Sequence, residues 1–229
     1  MNILALDTSM GACSAAALRA GSTARGLFAR EALMARGHAE ALMPMIAEVM
    51  EEAGLDFAAL DLVAATTGPG SFTGVRIAVA AARGLALVTP AKLYGIDSLT
   101  VMARFARSTG IAEGAPFAVA VDARRGMLYL GLYDGAGGKL DSPLLVSPED
   151  TLPLLPRALR TAVGSGASLL AEAAAQRGRK VQTALPELQP SAASLAEIAL
   201  ESGETVPTLL PLNLRPSDAR PQPDAVARR

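Results

Sequence analysis

The sequence predicts an α/β protein of two similar lobes, each a mixed β-sheet flanked by helices. Apolar runs of strand length alternate with longer segments in which apolar residues recur every three or four positions. An apolar run that ends in aspartate occurs twice, at 3–7 and again at 118–122, about half a chain apart. The length of 229 residues suits one domain or two small ones. Together these observations predict a duplicated fold.

The repeat extends past the first run of each half. At the same offset Gly11 corresponds to Gly126, and the apolar run 13–18 corresponds to 128–133. Each half therefore opens with a β-meander and continues in helix-rich sequence. A repeat of this length indicates duplicated lobes, because a solenoid would show several shorter periods. Coincidence of a common strand–turn–strand pattern is the alternative.

Duplicated lobes with an aspartate at the first hairpin are the layout of the actin-like ATPase fold (ASKHA, ribonuclease H-like), which sugar kinases and Hsp70-like ATPases share. In that fold a nucleotide lies between the lobes, where hairpin amides hold phosphates and a carboxylate holds a hard cation. The corresponding positions, which we interpret as a vestigial nucleotide site, are Asp7, Thr8, Ser9, Asp122, Gly164 and Gly166.

The elements of the first half follow from its patterns. Gly54 is a natural end for the first helix, whereas Pro44 inside that helix must start its regular part or kink it. We expect residues 1–99 to form the first lobe. Strands are predicted there at 3–7, 13–18, 27–31, 61–67 and 93–96, and helices at 38–52 and 75–88, while a helix at 98–107 crosses the boundary into the second lobe.

The second half, residues 100–216, is predicted in the same way, and the proline-rich residues 217–229 are expected to be a flexible tail. Pro153 and Pro156 interrupt one of its helices. Strands are predicted at 117–122, 127–133, 139–146 and 161–163, and helices at 148–160, 168–177 and 191–201.

Composition excludes several classes of protein. A hydrophobic share of 51% and a net charge of −1 exclude global disorder and argue against a stand-alone nucleic-acid binder. The single cysteine, Cys13, excludes a disulfide scaffold, and the single histidine, His38, excludes a multi-histidine metal site. Since no apolar run reaches about 20 residues and no basic leader opens the chain, we expect a cytoplasmic protein. A cysteine or serine nucleophile would have to use His38 as its base, and a buried, inert Cys13 is favoured.

A glycine-rich loop lies between a predicted strand and a predicted helix, where an anion could meet a helix N-terminus. It lacks the Lys-Ser/Thr ending of a phosphate loop, and Thr73 occupies the third glycine position of a dinucleotide fingerprint. The alternative is a tight turn in which Ser71 or Thr73 caps the helix. The loop consists of Gly68, Pro69, Gly70, Ser71, Phe72, Thr73 and Gly74.

The run 67–77, TGPGSFTGVRI, closely resembles the hallmark of the TsaB (YeaZ) family, the dimerisation subunits of the bacterial tRNA threonylcarbamoyladenosine system. The resemblance covers roughly residues 2–216, and its other matching segments are 3–9, 38–45, 121–126, 163–166 and 212–215. It implies a two-lobed actin-like fold that pairs with a TsaD-type transferase, which places threonylcarbamoyl on the adenosine beside the tRNA anticodon. It further implies a TsaE-type ATPase in the complex, a homodimer when the partner is absent, contact with tRNA through the complex, and no membrane.

The resemblance also implies no catalytic residue, no metal site and no cofactor of its own, with ATP and metal on partner subunits. The transferase relative holds its metal with a His-x-x-x-His pair, and here Leu42 replaces the second histidine of the pattern that begins at His38.

Helices 38–52 and 75–88 carry apolar residues on more than one face, with Met43 and Met50 predicted to lie off the core side. Either both helices are core elements or they form an interface, and the resemblance implies that the family pairs through them. The candidate interface residues are His38, Leu42, Met43, Met45, Ile46, Met50, Val75, Arg76, Val79 and Arg83.

Other functions remain open. A stand-alone ATP-binding enzyme of this fold, such as a small-molecule kinase, requires ATP binding that depends on Asp7. A metalloprotease is disfavoured by the single histidine, and a pure homodimeric scaffold would have no tRNA role. Arg124 and Arg125 are open as direct contacts with tRNA.

Overall fold

The computed structural model describes residues 1–21, 25–111 and 114–215, so the tail predicted at 217–229 lies outside the described residues. It contains two five-stranded sheets whose strands have the same spatial order. Counted within each lobe, that order is third, second, first, fourth, fifth. In each sheet the first strand is antiparallel to the second and parallel to the fourth. The duplicated two-lobe fold predicted from the repeat is thereby confirmed.

The first sheet and the helices that follow its strands come from the first half of the chain. They are β1 (Asn2–Asp7), β2 (Ala12–Ala20), β3 (Arg25–Leu33), α1 (His38–Ala53), β4 (Leu62–Thr66), α2 (Phe72–Val88), β5 (Lys92–Ile96) and α3 (Ser98–Ser108).

The second sheet has shorter outer strands, and only one helix, α4, lies between them. Its elements are β6 (Phe117–Asp122), β7 (Leu128–Tyr133), β8 (Leu144–Val146), β9 (Thr161–Val163), α4 (Ala167–Gln176), β10 (Gln182–Ala184) and α5 (Ala192–Ser202).

Three predicted elements need correction. The helix expected at 148–160 is only a 3₁₀ turn at Glu149–Thr151, followed by turns, because Pro153 and Pro156 cannot continue a helical ladder. The strand expected at 139–146 is confined to β8, and Lys139 makes an isolated bridge to Tyr133. Helix α2 begins three residues before the predicted start, because the end of the glycine-rich loop forms its first turn.

The two lobes exchange their last helices. Helix α5, near the end of the chain, packs through Leu195, Ala196 and Ala199 against residues of the first sheet such as Ile3. Helix α3, from the first half, packs through Leu99 and Met102 in a cluster with strands of the second sheet. An ion pair joins the two helices, because the Arg104 guanidinium lies 2.5 Å from the Glu201 carboxylate. Each core therefore depends on residues from both halves of the chain.

A C-terminal strap, which we define as residues 204–215, runs back along both lobes. Its Val206 N–H donates to the Leu93 carbonyl on β5 (2.8 Å), and Leu209 is buried in the core of the first lobe. Further on, the Leu212 N–H donates to the Thr67 carbonyl beside the glycine-rich loop (2.6 Å). The strap therefore follows the first lobe from the sheet edge to that loop. No helix among the described residues is long and apolar enough to span a membrane.

Candidate functional site

The first hairpin of the first lobe is built around a buried carboxylate. Asp7 ends β1 with no exposed surface, and Thr66 and Ser9 donate their hydroxyls to one of its oxygens. The Ser9 N–H donates to the other oxygen over 3.2 Å. Burial raises the pKa of Asp7 to about 6, since desolvation disfavours the charged form more than these hydrogen bonds favour it. The carboxylate is thus satisfied by the protein itself.

The residues after Asp7 hold the glycine-rich loop. The Thr8 hydroxyl donates to the Gly74 carbonyl (2.6 Å) and accepts from the Ala78 N–H (3.1 Å), so it joins the hairpin to the first turns of α2. The Ser71 N–H donates to the Ser9 carbonyl (2.7 Å). Thr8 and Ser9 are both fully buried, so the loop covers this hairpin.

Two glycines permit this approach. A Cβ atom on Gly70 would lie 2.1 Å from the Ser9 carbonyl oxygen, and one on Gly74 would lie 2.1 Å from the Thr8 carbonyl oxygen. Any side chain at either position would force the backbone apart. The Ser71 hydroxyl accepts from the Gly74 N–H (3.3 Å), so the capping interpretation of the loop is confirmed for Ser71. In this structure the loop seals the hairpin.

The remaining contacts of the loop are also structural. The peptide between Gly68 and Pro69 is cis, and the Gly68 carbonyl accepts from the Ser98 N–H at the start of α3 (2.8 Å). The Ser98 hydroxyl in turn donates to the Ser9 hydroxyl (3.0 Å). The loop therefore joins β4, the hairpin and α3 into one unit.

The hairpin of the second lobe is more open. The Asp122 side chain is 31% exposed, and its carboxylate accepts from the Arg124 N–H (2.7 Å). Arg124 and Arg125 both have left-handed backbone conformations, with φ of 65° and 56°. The Arg215 guanidinium of the strap donates to the carbonyls of Ala123 and Arg124, at 2.8 and 3.3 Å. This turn is therefore held from outside by the strap.

The loop that contains Gly164 and Gly166 packs against the end of β6, next to the second hairpin. The Gly166 N–H donates to the Ala120 carbonyl (2.9 Å), and the Asp122 N–H donates to the Ser165 hydroxyl (3.1 Å). A Cβ atom on Gly164 would lie 2.6 Å from that same Ala120 oxygen. This loop thus supports its hairpin much as the glycine-rich loop supports the first one.

The donor set around Asp7 does not suit a cation. A hard cation needs several free oxygen ligands, and both Asp7 oxygens already accept hydrogen bonds inside the core. No cluster of three or more histidine, cysteine, aspartate or glutamate side chains that could hold a metal occurs in residues 1–21, 25–111 and 114–215.

Cys13 and His38 do not form a catalytic pair. The Cys13 sulfur is fully buried and lies 3.9 Å from the backbone carbonyl of His38, whereas the imidazole Nε2 contacts the Met10 carbonyl at 3.1 Å. Burial, and secondarily the charge of Asp7, raises the pKa of the Cys13 thiol to about 11. The thiol is therefore protonated at neutral pH, as expected for an inert cysteine.

The candidate interface residues divide into two groups. Half of them belong to the core of the first lobe, because they lie on the sides of α1 and α2 that face the sheet, and for these the interface prediction is wrong. The placement of Met50 off the core side is wrong as well. The core residues are Leu42, Ile46, Met50, Val75 and Val79.

The other group lies on the outer surface of the same two helices. Met43 is 51% exposed, and Arg83 is also exposed. Arg76 is half-buried, with its guanidinium 3.3 Å from the centre of the Phe72 ring. His38 and Met45 are half-buried too. Phe72 and Leu87, 60% and 86% exposed, were not predicted and extend this surface along α2.

Several residues of these sites were missed from the sequence. Thr66 and Ser98 hold the Asp7 hairpin, Gln189 accepts from the Gly11 N–H (2.8 Å), and Arg215 holds the second turn. Thr66 alone carried a usable signal, since it ends a strand parallel to β1 and so lies at the same sheet edge as Asp7.

Comparisons with known proteins agree with this geometry. Residues 31–193 match the family model of TsaD, tRNA N6-adenosine threonylcarbamoyltransferase. The tRNA threonylcarbamoyladenosine biosynthesis protein TsaB of Escherichia coli is 36% identical over 134 residues, 58% of this chain and 55% of that protein. Its counterpart from Haemophilus influenzae is 38% identical over 129 residues, 56% of this chain and 52% of that protein. The matching region thus spans about half the length of these relatives.

A solved structure extends the likeness to nearly the whole chain. YeaZ from Pseudomonas aeruginosa superposes with a TM-score of 0.77 at 30% identity, covering 93% of this chain and 100% of that one. The glycine-rich loop that carried the resemblance is, in this structure, the seal of the first hairpin. The chain belongs to the TsaB (YeaZ) family and also matches the family model of the transferase TsaD.

Proposed function

We propose that this protein is a non-catalytic subunit of tRNA modification, which docks on a TsaD-type transferase and activates formation of threonylcarbamoyladenosine next to the anticodon. The observation that carries the proposal is the sealed hairpin of the first lobe, in a chain of the TsaB (YeaZ) family. A TsaE-type ATPase is the third member of the proposed complex, and tRNA is bound through the whole assembly in the cytoplasm.

The burial of Asp7 supports the non-catalytic role that we propose. In an ATPase of this fold the first hairpin must leave its amides and its carboxylate open to phosphates and a cation. Here the carboxylate is buried with three donors, and the Ser71 N–H is taken by the Ser9 carbonyl. ATP and metal chemistry therefore belong to the partner subunits.

Docking uses the outer faces of α1 and α2. Phe72 and Leu87 place two large apolar side chains at opposite ends of one helix face, and Met43 adds a flexible one from α1. Arg83 lies on the outer face of α2, whereas Glu40 and Glu51 lie on that of α1. An apolar surface with opposite charges on its two helices suits pairing with a related pair of helices. The same face pairs two copies of this chain when the transferase is absent.

Activation works by population shift. A subunit that takes no part in the reaction can change its rate only by binding one conformation of the transferase more tightly than another. We propose that docking favours the arrangement of the transferase lobes that binds tRNA productively.

The test compares tRNA modification by a purified TsaD-type transferase with and without this protein. We expect modification to require it. Leu87→Glu and Met43→Glu each bury a charge in the proposed interface, and we expect each to weaken both heterodimer and homodimer in sedimentation at least tenfold, the equivalent of about 1.4 kcal/mol. Leu154→Glu is the matched control, because Leu154 is 42% exposed on the second lobe. Equal modification rates with and without the protein contradict the proposal.

A further inference from the structure

A basic groove lies at one end of the second sheet. It has a volume of about 770 Å³ and is open to solvent on one side. Thr161 and Gln182 are the first residues of β9 and β10, and Ala115 precedes β6, so the groove lies at the amino ends of these parallel strands. Asp122 and Gly164 lie at the opposite, carboxyl ends. The groove is therefore separate from the hairpins described above.

The charge of the groove is strongly one-sided. Four of its nine described lining residues are cationic, namely Arg157, Arg160, Arg179 and Lys180, and none of these nine carries a carboxyl group. The whole chain has a net charge of −1, so this is a local concentration of positive charge. Burial, with the nearby charge of Arg160, lowers the pKa of Arg179. The like charges of Arg160 and Arg179 therefore repel each other, and an anion in the groove would be attracted to both.

Two of the cations have structural roles that fix the groove. The Arg179 guanidinium donates to the carbonyls of Leu155 (3.0 Å) and Pro156, which joins the end of α4 to the preceding turns. Arg160 donates to the Arg157 carbonyl over 2.7 Å. The other two, Arg157 and Lys180, are exposed, and within the described part of the chain neither side chain makes a hydrogen bond or an ion pair. Two cations thus remain available to a ligand.

We infer that this groove binds phosphate groups of an RNA backbone. Guanidinium and ammonium groups at a groove wall are the usual ligands of backbone phosphates. The groove is far larger than one phosphate needs, and none of its described lining residues is an aromatic on which a base could stack. These features favour contact with a phosphodiester chain over binding of a single nucleotide. The choice of tRNA as the RNA that binds rests on the proposed function. The inference that the groove binds backbone phosphates does not rest on it.

The test measures binding of labelled tRNA to this protein alone, over a series of salt concentrations. The double variant Arg157→Gln/Lys180→Gln removes the two available cations. The control Arg36→Gln/Lys92→Gln removes the same charge from exposed residues of the first lobe. Since all four side chains are exposed and none is bonded in the described structure, we expect both variants to fold as stably as the parent.

We expect the groove variant to bind tRNA about tenfold more weakly and to lower the slope of log affinity against log salt by about 1 to 2. The control variant should keep most of the parent's affinity for tRNA and most of its salt dependence. If both variants lose the same affinity for tRNA, the binding is general electrostatic attraction, and the proposal that the groove binds RNA is overturned. Binding of inorganic phosphate or AMP as tightly as tRNA would overturn the assignment to an RNA chain.

This experiment is independent of the modification assay. If the protein does not activate the transferase but the groove variant binds tRNA more weakly, the proposed function is wrong and RNA binding by the groove is supported. If the protein activates the transferase and the groove variant binds tRNA like the parent, only the proposal of RNA binding by the groove is wrong.

Discussion

The two lobes have the same strand order, but the hairpins that follow their first strands are treated in opposite ways. In the first lobe Asp7 is buried among three donors, and the glycine-rich loop closes over it. In the second lobe Asp122 is 31% exposed, and the turn after it is held by a guanidinium of the strap. The same hairpin is therefore a buried core element in the first lobe and an accessible turn in the second.

The difference extends to the helices. The first lobe has α1 after its third strand, and α1 and α2 together offer an outer face with large exposed apolar side chains. The second lobe has only turns at that point, and two residues of this segment, Arg157 and Arg160, line its basic groove. Each lobe therefore offers a surface that the other lacks, which suits a protein that contacts more than one partner.

The largest expected effect concerns the strap and the lobe to which it is bound. Leu209 is 1% exposed in the core of the first lobe, whereas its neighbour Leu210 is 69% exposed. Leu209→Ala should lower the free energy of unfolding by about 2–5 kcal/mol, because it leaves a cavity in that core. Leu210→Ala should change it by less than about 0.5 kcal/mol. Urea denaturation measures both, and similar values for the pair would show that the strap is not part of the core.

The next effect is the pH dependence of stability that the buried Asp7 of the first lobe causes. The pKa of Asp7 is about 6 in the folded state and 3.8 as its ordinary value, so folding favours its protonated form. Its contribution to stability is therefore complete below about pH 3.8 and is lost as pH rises through 6, a change of about 3 kcal/mol.

Denaturation at a series of pH values checks this. The stability of Asp7→Asn relative to the parent should rise by most of that amount between pH 4 and pH 7. An unchanged profile in Asp7→Asn would mean that this carboxylate is not buried as described.

The smallest effect tests the seal within a single helix. Gly74→Ala places a methyl group against the Thr8 carbonyl and should destabilise the protein by about 1–3 kcal/mol. Gly84 lies in the same helix, and a methyl group added there would meet no atom within 4 Å, so Gly84→Ala should stabilise the protein by up to about 1 kcal/mol. Thermal or urea unfolding should therefore show a lower free energy of unfolding for Gly74→Ala and a higher one for Gly84→Ala. A lower value for both variants would point to an effect on the helix that is unrelated to the contact with Thr8.

Local pattern predicted most of the fold. The sheets and most helices follow from apolar periodicity and from the repeat, and Gly54 ends α1 as expected. Strand β10 was missed because Gln182–Ala184 is short and largely exposed, without an apolar run. The sequence also could not show which stripe of α1 faces the sheet, and for that reason Met43 and Met50 were both placed off the core side.

The candidate site was less predictable for a physical reason. Asp7 is sealed by Thr66, which is close only because β1 and β4 are neighbours in the sheet. The basic groove likewise combines residues from three connections at one end of a sheet. Apart from the position of Thr66 at the end of a predicted strand, such contacts depend on tertiary placement, which neither spacing nor composition reports.

The exchange of α3 and α5 bears on how the chain folds during synthesis. Domains made on the ribosome usually fold from the N-terminus onward as each is completed. Here the core of the first lobe includes Leu195, Ala199 and Leu209, which are made long after β1. The first lobe must therefore wait, with apolar sheet surface uncovered, until nearly all of the second has been translated. Its nascent form then exposes apolar surface that the finished protein covers, because each lobe is completed by a helix from the other half of the chain.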